Sequence, residues 1–341
     1  MRILTLFLQM DSLTQIVLGA AVGEAILGRK IGNKAMLYGA IAGTIPDLDV
    51  LSSHVVDTVS ALEIHRGFTH SIVFSILMGL GLGWLVSKYD RNATQKEWSW
   101  LFFMCLVTHT LLDAHTSWGT QLFWPLDLRL AYKNIFVIDP LYTIPFMVFL
   151  IWAMCLPKNL QKRRRLNTIG LLISSGYMVV TIGLKGLSYQ KFEDALEEQQ
   201  ITFIELETKP SPLNTILWTA NIELKDSYLI GDYSFFDTKP IDFKLYPKNH
   251  YLSAHLTSHD KLKRLIQISE GWYTITEKEG KLYFNDLRFG LIDTSDKQHE
   301  QFVFSYLLSD EDDKLTVTEV PKQVTDGKQL LFKLWDRIKG N

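Results

Sequence analysis

Long apolar segments alternate with short polar stretches through roughly the first 190 residues. Runs such as SIVFSILMGLGLGWLV have no polar face for water, which favours membrane helices over the buried helical bundle of a soluble enzyme. A membrane helix needs about 20 apolar residues. Segments that reach or approach this length cover residues 13–28, 35–53, 71–87, 98–117, 136–156 and 167–187. We therefore predict an all-α polytopic membrane bundle of about six helices.

The pattern changes near residue 190. FEDALEEQQ predicts a helical stalk, and runs such as ITFIELE, TILWTANIEL and QFVFSYLL predict short strands separated by turns. The final stretch DGKQLLFKLWDRI predicts an amphipathic helix with Leu330, Leu331, Leu334 and Trp335 on one face. We predict two domains, a transmembrane helical domain over 10–188 and a smaller β-rich extramembrane domain over 189–341.

Basic residues follow every second apolar segment, in the loops 29–34, 88–96 and 158–165. This alternation is what the positive-inside rule requires of a multi-pass protein. Six spans would then place both the N-terminus and the C-terminal domain outside the cytoplasm, which predicts a bacterial inner-membrane protein with an extracytoplasmic C-terminal domain. The segment MRILTLFLQM lacks the length and cleavage site of a signal peptide, so Met10 is an alternative start to Met1.

Charge and cysteine content exclude some classes of function. The formal net charge of −2 gives no bulk attraction to nucleic acid, so the expected partner is the lipid bilayer. Cys105 and Cys155 both lie in apolar runs, which indicates core residues in preference to a disulfide or a metal pair. No oligomeric state follows from the sequence.

Three polar clusters interrupt the apolar segments, and the predicted topology places all of them at one side of the membrane. They are TIPDLD, HRGFTHS and THTLLDAHTSWGT. Ionisable side chains at such positions are costly to bury and require partners. A bound divalent metal would satisfy several of them together.

The ligand candidates come in pairs. His109 and Asp113 are four residues apart and share a helix face. His65 and His70 bracket a turn that enters a helix, whereas Asp47 and Asp49 follow a proline in a segment predicted to be extended, where alternate side chains point the same way. Each pair also has a simpler explanation: a core histidine for the first, loop polarity for the second and a solvated helix end for the third. A metal site is favoured because all three pairs are predicted to lie on the same side of the membrane.

Three more residues adjoin these pairs. Arg66 can bind a phosphate or carboxylate, or pair with Asp47, Asp49 or Glu63. Asp11 can cap the first helix or act as a general base, and Gln15 can fill a coordination position or bond to another ligand.

Together these motifs, with TSWGTQLFWPL, resemble a family of membrane-bound metal-dependent hydrolases, also described as LexA-binding, inner-membrane-associated hydrolases. The resemblance covers residues 10–188 and implies a distant similarity to zinc-dependent phospholipase C, with a helical metal site. Carried over by position, it implies metal ligation by Asp47, Asp49, His65, His70, His109 and Asp113. Many relatives have histidine where this chain has Gln15, so coordination through the first helix is in doubt.

The expected function is metal-dependent hydrolysis at the outer face of the inner membrane. The metal would be Zn²⁺, with Mn²⁺ or Mg²⁺ as alternatives, and the substrate a phosphoester or a lipid-linked molecule. The expected catalytic residues are Asp49 or Asp11 as general base and Arg66 as a stabiliser of negative charge. The alternative is a non-catalytic membrane protein with a structural metal or polar core, whose β domain binds an envelope partner.

Overall fold

The computed structural model describes residues 2–292, 301–311, 314–322 and 327–341, with side chains from residue 13 onward. The helices are α1 (Arg2–Ile31), α2 (Asn33–Ala42), α3 (Thr58–Ile64), α4 (Ile72–Tyr89), α5 (Gln95–Asp113), α6 (Pro140–Met154), α7 (Gln161–Glu198), α8 (Asp260–Ile268) and α9 (Gly327–Ile338). Short 3₁₀ helices cover Pro46–His54, Phe68–His70 and His250–Leu256. The strands are β1 (Glu205–Pro210), β2 (Leu217–Glu223), β3 (Ser227–Ser234), β4 (Phe243–Pro247), β5 (Tyr273–Lys278), β6 (Lys281–Ile292), β7 (Gln301–Glu311) and β8 (Lys314–Glu319).

Three helix pairs, α1–α2, α4–α5 and α6–α7, build the N-terminal bundle. Their connecting turns meet at one end, which we call the basic end. There Lys30 Nζ lies 2.5 Å from Glu97 Oε1, and Lys158 Nζ donates to the Lys30 carbonyl at 2.9 Å. The three basic loops of the sequence therefore lie together, as their alternation along the chain predicts.

Helices α1 and α2 approach each other through small residues. A Cβ placed on Gly19 would lie 2.2 Å from the Gly39 carbonyl oxygen, and one on Gly39 would lie 2.1 Å from the Gly19 carbonyl oxygen. Backbones this close are typical of glycine-mediated helix packing in membranes. The crossing holds α2 against α1 although α2 is only ten residues long.

Six membrane-spanning helices are not confirmed. Among the residues that the structure describes, two helices have the length and apolarity of a span, Ile72–Tyr89 and Gln161–Glu198, and Pro140–Met154 is a shorter apolar helix. The predicted span over 35–53 is wrong as a single helix. It breaks after Ala42, because the Gly-Thr-Ile-Pro sequence ends α2 and starts a 3₁₀ helix at Pro46.

The C-terminal region contains two antiparallel four-stranded sheets, with orders β1-β2-β3-β4 and β5-β6-β7-β8. Helix α7 runs on from the bundle as the predicted stalk, and its Phe192 and Leu196 are buried against Trp218 of the first sheet. The β-rich prediction is confirmed. Strands β4 and β8 and helix α8 lie in stretches that the sequence pattern did not assign.

The C-terminal region also contains a piece of the N-terminal sequence. Val59 of α3 is fully buried in a core with Leu262 and Leu265 of α8. Arg264 of α8 donates to Glu63 through Nε at 2.8 Å and Nη2 at 2.5 Å. The helix that leads into the HRGFTHS cluster, α3, is therefore held by the C-terminal region. The predicted domain boundary at residue 188 stays a prediction.

A second connection is ionic. Lys133, in the loop between α5 and α6, bonds to Glu207 of β1 and, at 2.9 Å, to Glu270. Burial disfavours the charged form of Lys133, but the two carboxylates more than offset it, so its pKa is raised. These contacts join the loop between α5 and α6 to strand β1 and to the turn between α8 and β5.

Candidate metal centre

The three polar clusters converge at the end of the bundle opposite the basic end. Asp47 lies in the 3₁₀ helix that follows α2, His70 lies just before α4, and His109 and Asp113 lie in the last two turns of α5. One ligand atom from each of these four residues falls within 4.8 Å of the others. We call these four residues the Asp–His group.

Within the group, each distance that involves a histidine nitrogen matches an edge of a small tetrahedron, and the two carboxylate oxygens lie within 4.8 Å of each other. His70 Nε2 and His109 Nε2 are 3.2 Å apart. Asp113 Oδ2 lies 3.1 Å from His70 Nε2 and 3.3 Å from His109 Nε2, and the corresponding distances from Asp47 Oδ1 are 3.3 and 3.5 Å. Zn²⁺ bonds of about 2.0–2.1 Å give tetrahedral edges of about 3.3–3.4 Å. The donors therefore fit one small divalent ion.

Hydrogen bonds fix both imidazoles with Nε2 towards the centre. His109 Nδ1 lies 2.7 Å from the Gly43 carbonyl oxygen, an acceptor, so Nδ1 carries the proton. His70 Nδ1 lies 3.1 Å from Thr69 Oγ1 and 3.3 Å from Asp49 Oδ2. Because Thr69 Oγ1 donates its own proton to Asp49, it accepts from His70 Nδ1. Both arrangements leave the Nε2 lone pair for a ligand, which is how metal-binding histidines are ordinarily oriented.

Asp113 supplies the clearest sign of a missing partner. Its Oδ1 accepts a hydrogen bond from Gln15 Nε2 at 2.8 Å. Its Oδ2 is buried and has no hydrogen-bond partner, although it faces two histidine nitrogens. A buried carboxylate oxygen in this position is costly. A cation bound by the group would remove that cost. Gln15 bonds to the ligand candidate Asp113, which is the second of the two roles expected for it.

Asp49 and His65 lie beside the group and not among its four members. His65 Nδ1 lies 2.9 Å from Asp49 Oδ1. Asp49 Oδ2 accepts from the Arg66 backbone N–H at 2.8 Å and from Thr69 Oγ1 at 2.9 Å. Both oxygens of Asp49 are thus engaged, and it contacts the group through His70. Metal ligation by Asp49 and His65 stays a prediction.

The reason for this separation is local backbone geometry. The segment Pro46–His54 is a 3₁₀ helix, so the expectation of an extended segment is wrong. Residues two apart point the same way on a strand but about 240° apart on a helix with three residues per turn. Asp47 consequently faces His70 and His109 while Asp49 faces His65 and the Arg66 backbone.

Arg66 lies behind the group with its side chain buried. Its Nη1 donates to Thr116 Oγ1 at 2.6 Å, and its Nε lies 3.4 Å from Asp113 Oδ2. Arg66 therefore pairs with an acid, which is one of the alternatives expected for it, but that acid is Asp113. Asp11, the other predicted catalytic residue, has a side chain outside the described residues.

The group opens towards solvent at one side. The side chains of Asp47 and His65 are 24 and 26% exposed, whereas those of His70, His109 and Asp113 are buried. Trp118 packs edge-on against His65, with ring centroids 5.2 Å apart, and contacts Phe289 of β6. Burial lowers the pKa of His65, and its bond to Asp49 offsets part of that shift.

Sequence reasoning missed several residues that shape this site. Thr69 and Trp118 lie within the quoted motifs, so their closeness in sequence to the ligand candidates could have identified them. The role of the Gly43 carbonyl could not be predicted from the sequence, because the position of a backbone acceptor depends on where α2 ends. Asp139, near the start of the apolar segment 136–156, caps α6 by accepting from the Leu141 N–H at 2.8 Å.

Comparison with known proteins agrees with this architecture. The family model described as YdjM inner membrane protein matches residues 10–188, the part of the chain that contains the whole Asp–His group. The chain belongs to the YdjM inner membrane protein family. This supports the expected inner-membrane location, and the family name states no reaction. The two sheets lie outside the matched residues.

A curated relative is the inner membrane protein YbcI of Escherichia coli (strain K12). It is 29% identical to this chain over 112 residues, which is 33% of the chain and 64% of the relative. The chain thus spans slightly less than two thirds of that protein's length. No solved structure matches the chain.

Proposed function

We propose that this inner-membrane protein is a metal-dependent hydrolase whose metal is held by Asp47, His70, His109 and Asp113. The observation that carries the proposal is the set of two imidazole nitrogens and two carboxylate oxygens, in which every distance to an imidazole nitrogen is 3.1–3.5 Å. The Nδ1 atom of each imidazole faces an oxygen acceptor on the side away from the group. Two imidazoles and two carboxylates suit Zn²⁺ better than Mg²⁺, which prefers an all-oxygen shell. A divalent ion held there would activate water and polarise the scissile ester.

The chain's own residues supply positioning and proton transfer. Gln15 and Arg66 hold Asp113 from behind. Asp49 binds His65 through Nδ1, so His65 Nε2 is left to exchange a proton at the partly exposed side of the site. In this arrangement Asp49 acts through His65 as an orienting residue, a role different from the direct general base that the sequence suggested.

The mouth of the site supports an amphiphilic substrate, such as a phosphoester carried on a lipid. Phe68, between His65 and His70 in sequence, stacks edge-on against Trp124 with centroids 4.9 Å apart. Both rings are exposed, as are Leu48 and Leu51 of the adjoining 3₁₀ helix. Apolar side chains at a membrane–water boundary favour a substrate with an acyl or isoprenoid part.

The test is hydrolysis by the full chain in nanodiscs, with a fluorogenic phosphodiester presented either on a lipid or on a water-soluble carrier. We expect turnover of the lipid form, loss of turnover with chelator and recovery with Zn²⁺. His65→Gln should lower kcat, whereas His115→Gln should not, because His115 bonds to Asn134 away from the group. Metal-independent turnover, or equal rates for both variants, would contradict the proposal.

One observation favours the non-catalytic alternative. Four protein donors are enough to close a four-coordinate site, and closed zinc sites are usually structural, whereas catalytic zinc keeps an open position. If the metal only stabilises the fold, its removal should lower the unfolding temperature of the purified protein, and no ester in the panel should be turned over.

A further inference from the structure

Helix α9 presents an apolar face that the rest of the described chain leaves uncovered. Leu331, Phe332 and Trp335 are 54, 70 and 59% exposed. They share one face because they are one, three and four positions apart along the helix. Ile338, one turn after Trp335, is buried where the helix meets the rest of the chain. The sequence expectation grouped Leu331 and Trp335 with Leu330 and Leu334, but the latter two are partly buried.

This helix is fixed to the end of strand β3. Ser234 Oγ donates to the Ile338 carbonyl at 2.6 Å. Arg337 donates to both oxygens of Asp237, through Nη1 at 2.6 Å and Nη2 at 2.7 Å. The C-terminal end of α9 therefore has a defined place on the first sheet.

That end of the sheet lies against the membrane bundle. Ser234 pairs with Leu217 across β3 and β2. Two residues before Leu217, Thr215 Oγ1 lies 2.8 Å from the Tyr177 hydroxyl of α7. Tyr177 in turn donates to Asp139 Oδ2 at 2.8 Å. The chain of contacts connects α9 to the residue that starts α6.

Tyr177 of α7 lies at the level where α6 begins. It follows Gln161, at the basic end, by sixteen residues, or about 24 Å of helix at 1.5 Å per residue. Asp139 caps α6 at the same level. The apolar surface of α7 continues past Tyr177, with Ile182 52% exposed, as far as Lys185, about 12 Å further along the helix. With α4 and α7 in a bilayer, the membrane–water boundary on the side of the Asp–His group therefore falls between Tyr177 and Lys185.

The composition of the α9 face suits that boundary. Phe236, beside the attachment point, is a further exposed aromatic residue at 59%. Lys328 and Lys339 stand one turn before Phe332 and one turn after Trp335. Tryptophan and phenylalanine between lysines are typical of helices that lie in the headgroup region.

We propose that α9 lies on the surface of the bilayer that holds the bundle, with Leu331, Phe332 and Trp335 inserted among the lipids. The C-terminal region is then attached to the membrane at two places, through α7 and through α9. Its orientation over the Asp–His group is fixed by both. The proposed membrane contact of α9 does not depend on the proposed hydrolase activity.

The test is a nitroxide label at Phe332→Cys in the full chain, in a Cys155→Ser background, because Cys155 is exposed and Cys105 is buried. Nanodiscs that hold one chain each exclude contacts between copies. The matched control is a label at Tyr251→Cys, a 74% exposed residue of the 3₁₀ helix that follows β4. The accessibility of each label is measured for molecular oxygen, which concentrates in lipid, and for a water-soluble nickel complex.

We expect the Phe332 label to be several-fold less accessible to nickel and several-fold more accessible to oxygen than the Tyr251 label. A label at Leu331→Cys should give the same result. Equal nickel accessibility at Phe332 and Tyr251 would place α9 in water and overturn the proposal. Protection of the Phe332 label from both reagents would also overturn it, because a protein surface and not lipid would then cover the helix.

Discussion

Replacing Asp49 with asparagine tests whether this residue orients the ligands or belongs to them. The variant keeps the size of the side chain and removes its charge. In the structure Asp49 Oδ1 binds His65 Nδ1, and Oδ2 lies near His70 Nδ1 while it accepts from the Arg66 backbone. An amide nitrogen at either position would face a donor, so one of these bonds must break.

The expected loss of metal affinity follows from that role. Removing a group that orients a metal-binding histidine usually costs about 10–100-fold in affinity, or about 1.4–2.7 kcal/mol. Asp49 contacts one ligand, His70, so we expect a loss within this range, with the metal stoichiometry unchanged at saturation. Asp47→Asn removes a donor itself and should lower the stoichiometry or weaken binding much more.

The assay is competition between the detergent-solubilised protein and a chromophoric zinc chelator. Asp57→Asn is the matched control, because Asp57 is a well-exposed carboxylate that accepts from Ser60 at 2.7 Å and lies outside the group. An affinity within twofold of the wild type for Asp49→Asn would refute the orienting role. A loss equal to that of Asp47→Asn would show instead that Asp49 is a ligand, as the family resemblance implies.

Three other predictions concern the C-terminal region. Lys133→Met leaves Glu207 and Glu270 without their shared cation, and Glu270 is about one third exposed. We therefore expect the free energy of unfolding to fall by about 2 kcal/mol. Thermal unfolding measures this change, and an unchanged midpoint would contradict it. Burial lowers the pKa of Lys209 to about 8, so folding disfavours its charged form. The cost is fully present below pH 8 and is relieved as the pH rises towards about 10.5, so the free energy of unfolding should gain up to about 3 kcal/mol from this group. Lys209→Met should flatten that rise, and an identical pH profile in both proteins would exclude it. Finally, a periplasmic reporter fused after Asn341 should be active and a cytoplasmic one inactive, whereas the reverse result would invert the proposed topology.

The ligand pairs were predictable where helical periodicity decides the geometry. His109 and Asp113 share a face of α5 for that reason, and the common side of the three clusters follows from alternating basic loops. The helical bundle, the stalk and the β-rich region follow from equally strong patterns. These features depend on spacing within one segment or on the sign of charges in loops.

The different orientations of Asp47, towards the group, and of Asp49, towards His65, were not predictable in this way. It depends on a 3₁₀ helix after Pro46, and the same Pro-Asp-Leu-Asp letters fit an extended segment equally well. The burial of Val59 among α8 side chains was also hidden, because it joins residues about 200 positions apart with no periodic signal. The orientation of His109 depends on the Gly43 carbonyl, which no side-chain pattern records.

The most direct test of the central proposal is the metal content of the purified protein. Elemental analysis should compare the wild type with His70→Ala/His109→Ala and with His115→Ala, a histidine outside the group. We expect one equivalent of zinc or a similar divalent ion per chain in the wild type and in His115→Ala, and loss of that metal in the double variant. No bound metal in the wild type after incubation with Zn²⁺ or Mn²⁺, or equal metal in all three proteins, would contradict the assignment of the Asp–His group as a metal centre.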